Sequence, residues 1–446
     1  MKRVNSFTQG PIMLPLIHFA LPVLLALFLQ TMYGAVDLLV VGQFGMSADV
    51  SAVSTGSQIM QTITVVITGL AMGLTVLVGR KIGEGRQQEA GQIIASGMWL
   101  FGALALVISV ATVLFARPLA RVMRAPEEAF GQTASYIAIC GAGALFIVAY
   151  NLIGSVFRGI GDSKMPLVTV AIASALNIAG DLLLVAVFRM GTAGAALATV
   201  FAQAVSVVIS LLIIRRRDLP FTLSRGDIKP RDAYVKAILR LGSPIALQDL
   251  LVSASFLVIT AIVNSLGLIT SAGVGVAERL CGFLMLVPSA YMQSMSAFVA
   301  QNIGAGKPDR ARRALLCGIA SSLVVGLVIG CFTFLRGSLL AGLFARDAEV
   351  IAAAAEYLKA YAIDCVLTSF LFCFIGYFNG CGDTTFVMWQ GMIGAFGVRL
   401  PVSWLMSRRV PVSLFHIGLA TPCSTVVQIA LCFIALAVSK KKETAN

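Results

Sequence analysis

Twelve stretches of this chain are each predominantly apolar for 20 residues or more, and that pattern dictates most of what it can fold into. They run approximately over 15–41, 50–78, 93–115, 132–156, 166–188, 192–214, 239–265, 270–299, 313–335, 353–378, 386–406 and 412–437. A hydrocarbon core ~30 Å thick is crossed by roughly 20 helical residues. The lipid interior admits only segments that satisfy their own backbone hydrogen bonds. A β-barrel wall would show alternating segments of about ten residues, whereas these runs are continuous. Composition agrees, with 58% hydrophobic and 12% charged residues against about 25% charged in a soluble domain. An all-α integral membrane protein of twelve transmembrane helices is expected. The opening "MKRVNSFTQG" resembles the basic start of a signal peptide, but the apolar run after it outlasts a leader core of about 7–15 residues. The first span is therefore expected to be a retained helix.

The formal charge of +13 raises the question of nucleic acid, and its placement answers it. With the N-terminus inside, the cytoplasmic segments hold 22 Lys and Arg, counting Arg240 and Arg313 at span edges, the outer segments 8 and the spans 3. This is the positive-inside bias of a membrane protein, so the lipid bilayer is the expected partner and nucleic acid is not. Both termini are expected in the cytoplasm. Two outer segments, "ARPLARVMRAPEE" and "SRRV", run against the trend. The nine cysteines contain no CxxC pair and mostly fall inside spans, where they read as small buried apolar residues. His18 and His416 lie far apart, and neither HExxH nor GxSxG occurs, so no catalytic or cofactor site is expected.

Internal repetition sets the organisation. "RKIGEGRQQEAGQII" at 80–94 is echoed by "QNIGAGKPDRARRAL" at 301–315, with Gly83, Gly85 and Arg86 lying 221 positions before Gly304, Gly306 and Lys307. "FRGIGDSKMP" and "FNGCGDTTFV" repeat at the same offset, and Pro22 and Gly45 recur at 222 as Pro244 and Gly267. Three landmarks at nearly one offset define a repeat. The hydrophilic stretch 215–236 divides the halves. We read an N-lobe over 1–214, a basic cytoplasmic linker over 215–236, a C-lobe over 237–437 and a basic tail over 438–446. An even number of spans per half makes the two six-helix lobes parallel, related by a pseudo-two-fold axis along the membrane normal, an arrangement of transporters with alternating access. The Gly-x-Gly motifs follow helices and lack GxxxxGK[ST], so they read as helix terminators with basic residues at the helix C-terminal dipole, not as phosphate loops.

Ionisable residues inside a span cost at least ~2.5–3.5 kcal/mol on insertion scales and so mark partners, cavities or function. Asp37, Asn177, Asp181 and Thr199 all lie within roughly 6–11 Å of the outer boundary at 1.5 Å rise per residue. Asn177 and Asp181 stand at i and i+4 on one helix face. Two carboxylates, an amide oxygen and a hydroxyl at one level suit Na⁺, or a shared proton. At the repeat offset these positions hold Ile259, Val398, Val402 and Ala420, so every polar group is lost in the second half. That asymmetry favours chemistry over scaffolding. The second half carries its own charges, Asp249, Glu278, Arg279 and Asp364. Glu278 and Arg279 are adjacent and point apart, so Arg279 is expected to need a partner or a wet cavity.

With these residues the chain resembles the multidrug and toxic compound extrusion (MATE) family, prokaryotic branch. The carrying stretches are "FALPVLLALFLQTMYGAVDLLVVGQFG" with Pro22, Gln30 and Asp37, then "VGRKIGEG", "QNIGAGKPDRAR", "FRGIGDSKMP" and "LNIAGDLLL", and the resemblance covers 8–437. It implies a V-shaped pair of six-helix lobes in a cell membrane that export small organic cations in exchange for inward H⁺ or Na⁺. It implies that Asp37, Asn177, Asp181 and Thr199 form the ion site; Gln30, Asp249, Glu278, Arg279 and Asp364 are the candidates for the cargo cavity or the gate. The chain is expected to act as a monomer. It departs from some relatives in the C-lobe, where the Glu of span seven falls near Val252 or Ser253 and the Asp of span ten near Thr368, leaving Asp249 and Asp364 out of register. A flippase for lipid-linked or anionic lipid substrates is the alternative on similar architecture. The spans hold only Arg279, Lys359 and Arg399 against at least five acidic residues, which favours cationic cargo.

Overall fold

The computed structural model describes residues 7–221 and 229–445. Residues 222–228 of the basic linker and the tail side chains from Lys440 onward lie outside the described residues. The described residues are overwhelmingly helical and contain no strand. In the first half these are α1 (Met13–Phe44), α2 (Ser47–Gly83), α3 (Gln87–Leu114), α4 (Ala116–Val122), α5 (Glu127–Ala142), α6 (Ala144–Ile160), α7 (Lys164–Asp181) and α8 (Gly191–Arg215). The second half has α9 (Asp232–Asn264), α10 (Leu268–Leu284), α11 (Leu286–Gly304), α12 (Pro308–Ala341), α13 (Ala348–Cys381), α14 (Thr384–Met392), α15 (Leu400–Ser407), α16 (Leu414–Gly418) and α17 (Ala420–Ala445).

Among the described residues, ten helical segments are long and apolar enough to cross a membrane unaided, and α5 with α6 makes an eleventh although the two meet at 54°. The remaining expected span is covered by α14, a π-helical stretch over Ile393–Arg399, and α15, no piece longer than nine residues. Its interruption has a local cause. Pro401 has no N–H to donate to the carbonyl four residues back, and the π stretch just before it bonds at i to i+5, with Leu400 N–H on the Ala395 carbonyl. Hydropathy reports the length of a run and is blind to such a change of register.

The repeated glycine motifs end helices as expected. Gly85 and Gly306 take φ +75° and +69°, and Gly161 and Gly382 take +87° and +89°. Each is followed by a backbone N–H reaching back five residues: Arg86 to Lys81 at 3.0 Å, Lys307 to Asn302 at 2.9 Å, and Asp162 to Phe157 and Asp383 to Phe378, both at 2.9 Å. This is the Schellman closure of a helix, which requires the left-handed conformation that glycine adopts most cheaply.

The chain divides into two compact units, one mainly Leu21–Ala246 and one mainly Leu247–Ile303 with Lys307 onward, which also takes in Gln9–Ala20. The first unit is built around Ile67, Leu74, Phe101, Val148, Ile153 and Phe157. A second cluster of Val40, Val41, Val53, Met60, Tyr136, Ile147 and Val185 lies toward the opposite end of its helices. The second unit packs around Ile259, Val274, Leu280, Tyr357, Leu358 and Ile417.

Candidate functional site

Asp37, Asn177, Asp181 and Thr199 come together within the first unit. α1 supplies Asp37, α7 supplies Asn177 and Asp181, and α8 supplies Thr199. The approach of α7 to α8 depends on Gly180, where an added Cβ would stand 3.0 Å from that of Ala198. Small residues at such a crossing let helix backbones come close, which carries the polar face of α7 onto Thr199. Asp181 is also the last α-helical residue before a π-helical stretch over Leu182–Val187, and π turns recur where a helix must aim a functional side chain.

The group is buried: Asp37 is 6% exposed, Asn177 2% and Asp181 0%. Asn177 Nδ2 donates to Thr199 Oγ1 at 3.3 Å. The Thr199 hydroxyl lies 3.1 Å from the Ala195 carbonyl and 3.5 Å from Asp37 Oδ2. The Asp37 and Asp181 carboxyls lie within hydrogen-bonding contact of each other. Even so, Asp37 Oδ1, Asn177 Oδ1 and both oxygens of Asp181 have no donor among the described residues. Buried acceptors are nearly always satisfied, and two carboxylates in contact do not both stay ionised without a positive charge between them. The arrangement can therefore hold a proton shared by the two acids, or a small hard cation on four oxygens.

Sequence reasoning missed the groups around this pair. Tyr33, one turn before Asp37, lies beside Gln203 and Gln30 and in the electrostatic field of Asp37. Tyr136 and Cys140 of α5 are buried next to each other and in the field of Asp37. Spacing offered a signal for two of these, since Tyr33 and Gln203 stand four residues from Asp37 and Thr199 and so share their helix faces. Gln30 thus enters the same polar cluster through Tyr33.

The charges of the second unit are distributed differently. Arg279 is exposed, and no carboxylate of the described residues lies within 4 Å of it. Glu278 accepts from Thr260 Oγ1 at 3.2 and 3.4 Å. Asp249 is partly buried, with no side-chain partner among the described residues. Asp364 is 2% exposed and accepts from Thr425 Oγ1 at 2.6 Å. The buried cation there is Arg399, whose guanidinium stands over the Phe256 ring at 4.5 Å, donates to Ser255 Oγ at 3.2 Å and faces Asp364 electrostatically. Arg399 lies in the π-helical stretch before Pro401.

A multi-pass helical membrane protein with a repeated six-span half and a buried acidic pair in one half is the class these features define, that of a secondary transporter. The MatE family profile matches twice, over residues 22–183 and 244–405, and the chain belongs to that family. Its two matches are themselves 222 positions apart, the offset of Pro22 and Pro244. The chain is 28% identical over 406 residues, 91% of each chain, to the probable multidrug resistance protein YpnP of Bacillus subtilis. It is 27% identical over 369 residues, 81% of this chain and 80% of the other, to a FAD transporter of Shewanella oneidensis. Its fold matches a solved structure described as the outward-facing conformation of a multidrug resistance MATE family transporter, with TM-score 0.92, 20% identity and coverage of 99% and 100% of the two chains. The chain is thus a MATE-family transporter, an all-helical protein with two repeated six-span halves.

Proposed function

We propose that this protein is a secondary antiporter of the bacterial inner membrane that exports small organic cations in exchange for inward H⁺ or Na⁺, with both termini in the cytoplasm. The observation that carries the reading is the buried contact of Asp37 with Asp181, whose unpartnered oxygens have no counterpart in the second repeat. An ion arriving from outside neutralises the pair, draws α1 toward α7 and alters the cargo-facing side of α1, so that cargo leaves outward. Loss of the ion to the cytoplasm restores the charged pair and its affinity for a cation. Asn177 and Thr199 hold the carboxyl of Asp37 in position. The driving force suffices, since one charge moved through 100 mV supplies ~2.3 kcal/mol.

The test is gradient-driven movement of a fluorescent organic cation in proteoliposomes, with pH and Na⁺ gradients imposed separately. Asp37→Asn is expected to reduce it to the level of empty vesicles. Export by Asp37→Asn equal to wild type sinks the mechanism. A second reading, transport of an anionic substrate or flipping of an anionic lipid, is favoured by the relationship to a protein named as a FAD transporter. Lipid translocation without dye movement in the same vesicles selects that reading.

A further inference from the structure

The end of α3 opposite the termini has an exposed feature that ion coupling does not use. α3 breaks at Phe115, with φ −102° and ψ 15°, and restarts as the seven-residue α4. In the second repeat α12 breaks at Arg336, with φ −126° and ψ 26°, 221 positions later. Both breaks are followed by the same burial pattern. Ala116 and Ala120 face inward, as do Gly337 and Ala341, while Val122 and Leu343 stand 78% and 75% exposed. A short helical segment after a break in the third span is therefore a device of the fold, present in both copies.

Three arginines are not. Arg117, Arg121 and Arg124 are all exposed, and at the 221 offset they correspond to Ser338, Gly342 and Ala345, the second copy carrying its exposed arginines instead at Arg336 and Arg346. Arg117 and Arg121 are one turn apart and share a helix face. Arg124 follows the helix at φ +51°, one of two described non-glycine residues with positive φ. There the Ala125 N–H closes onto the Ala120 carbonyl at 3.1 Å, and glycine is the residue this closure prefers. No carboxylate of the described residues lies within 4 Å of the three guanidinium groups, although Glu127 and Glu128 follow directly. Phe115, Val122 and Met123 are exposed beside them at 57%, 78% and 38%. The 28 residues of α3 rise about 42 Å at 1.5 Å each, more than the ~30 Å of hydrocarbon, so α4 lies at headgroup level.

We propose that α4 is a lipid-binding element, in which Arg117, Arg121 and Arg124 take the phosphates of anionic phospholipids while Phe115, Val122 and Met123 enter the acyl boundary. The guanidinium fork matches phosphate oxygens in pairs, and a basic helix with an apolar edge lies in the interface plane. The proposal accounts for a cluster that violates the positive-inside pattern. Assigning it to the outer leaflet rests on the orientation proposed above. α4 packs through Ala116 and Ala120 onto Ile59, Ala134 and Ile137, so bound lipid steadies the end of α2 and α5 at which Asp37 and Asp181 also lie.

The test titrates purified protein in neutral detergent micelles with short-chain phosphatidylglycerol and, in parallel, phosphatidylcholine, counting bound lipid by native mass spectrometry. Phosphatidylglycerol is expected to bind in preference. The triple variant Arg117→Gln, Arg121→Gln, Arg124→Gly is expected to lose a tight class of sites, weakening it about fivefold per charge and on the order of a hundredfold together at low salt. The corresponding triple lysine variant retains preferential binding, and melting temperatures no lower than that of wild type show that the variants are folded. Unchanged phosphatidylglycerol binding in the glutamine variant, equal binding of phosphatidylcholine by wild type, or displacement of the lipid by equimolar inorganic phosphate overturns the proposal. Because both membrane faces are open in a micelle, the outcome is independent of orientation. Protease accessibility of a C-terminal tag in spheroplasts and inverted vesicles decides orientation separately.

Discussion

Replacing Asp181 by Asn separates the stability of the acidic pair from its function, in opposite directions. Asp181 is fully buried, touches the Asp37 carboxyl and has no donor for either oxygen among the described residues. When neither a proton nor a cation occupies the pair, two unit charges about 4 Å apart repel by ~4 kcal/mol at an effective dielectric constant of 20. An asparagine amide removes that repulsion and can donate to Asp37, a hydrogen bond to a charged group worth about 1.5–3 kcal/mol. Asp181→Asn is therefore expected to be more stable than wild type by a few kcal/mol in Na⁺-free alkaline buffer, and to lose ion-driven transport. The sign follows from occupancy. Raising the pH withdraws the shared proton from wild type and leaves the repulsion, whereas the variant carries only one acid and loses nothing comparable, so the gap widens with pH. Thermal melting in detergent, followed in parallel at acidic and alkaline pH with and without 100 mM NaCl, about 0.1 M ionic strength and a ~10 Å screening length, reads the effect. A potassium control at equal ionic strength separates screening from site binding. If Na⁺ but not K⁺ closes the gap at high pH, the coupling ion is Na⁺; if neither does, it is the proton. A variant that melts below wild type at every pH, or a gap independent of pH, would refute the picture of two carboxylates held in contact by an exchangeable positive charge.

Two further outcomes test the frame around the site. Gly85→Ala and Gly306→Ala each place a Cβ where nothing lies within 4 Å, at φ +75° and +69°, so each is expected to cost about 1–2 kcal/mol of left-handed backbone strain and to leave ion coupling intact; detergent melting and dye transport check the two halves of this statement. In the second unit, Asp364→Asn and Arg399→Met are expected to be non-additive, with a coupling energy of about 0.5–3 kcal/mol, because Arg399 and Asp364 are buried in each other's field; a double-mutant cycle in melting or denaturant resistance measures it, and additivity refutes the pairing.

The long apolar runs carried nearly all of the architecture, because crossing a bilayer as helix is a matter of length and composition. What they could not carry was direction within a span. The 54° turn at Gly143 and the π stretches at Leu182–Val187 and Ile393–Arg399 change the aim of side chains without changing hydropathy. In the site, depth brought Asp37, Asn177, Asp181 and Thr199 to one level, but level says nothing of azimuth. The contact between Asp37 and Asp181 depends on the rotation of α1 against α7, and the few polar residues of each helix mark a face without saying which neighbouring helix that face meets. Arg279 illustrates the same limit. α10 buries Gly273, Val274, Ala277, Leu280 and Cys281, a phase that turns Arg279 to the surface. In "AGVGVAERLCG" no polar face announces that phase.

The two repeats act as an internal control that holds from sequence through to geometry. Helix closures recur with matching hydrogen bonds at Arg86 and Lys307 and at Asp162 and Asp383, and the third span of each copy breaks at the same place, Phe115 and Arg336. These features answer to the fold, and both copies need them. The acidic pair on α1 and α7 occurs once, and the second copy has Ser338 and Gly342 where α4 has Arg117 and Arg121. A polar group retained in one copy and apolar or small in the other cannot be a requirement of six-helix packing, since the other copy packs without it. It is also expensive, whether as an unpartnered carboxylate in the bilayer or an arginine at a left-handed position. Features that are costly and dispensable to the fold are those for which a ligand is the simplest physical explanation, an ion for Asp37 and Asp181 and a phosphate for Arg117, Arg121 and Arg124. Arg399 and Asp364 have no charged counterparts in the first repeat at Ile178 and Gly143, so a double-mutant cycle in transport, run after the one in stability, tests whether this pair is scaffolding of the second unit or takes part in the cycle.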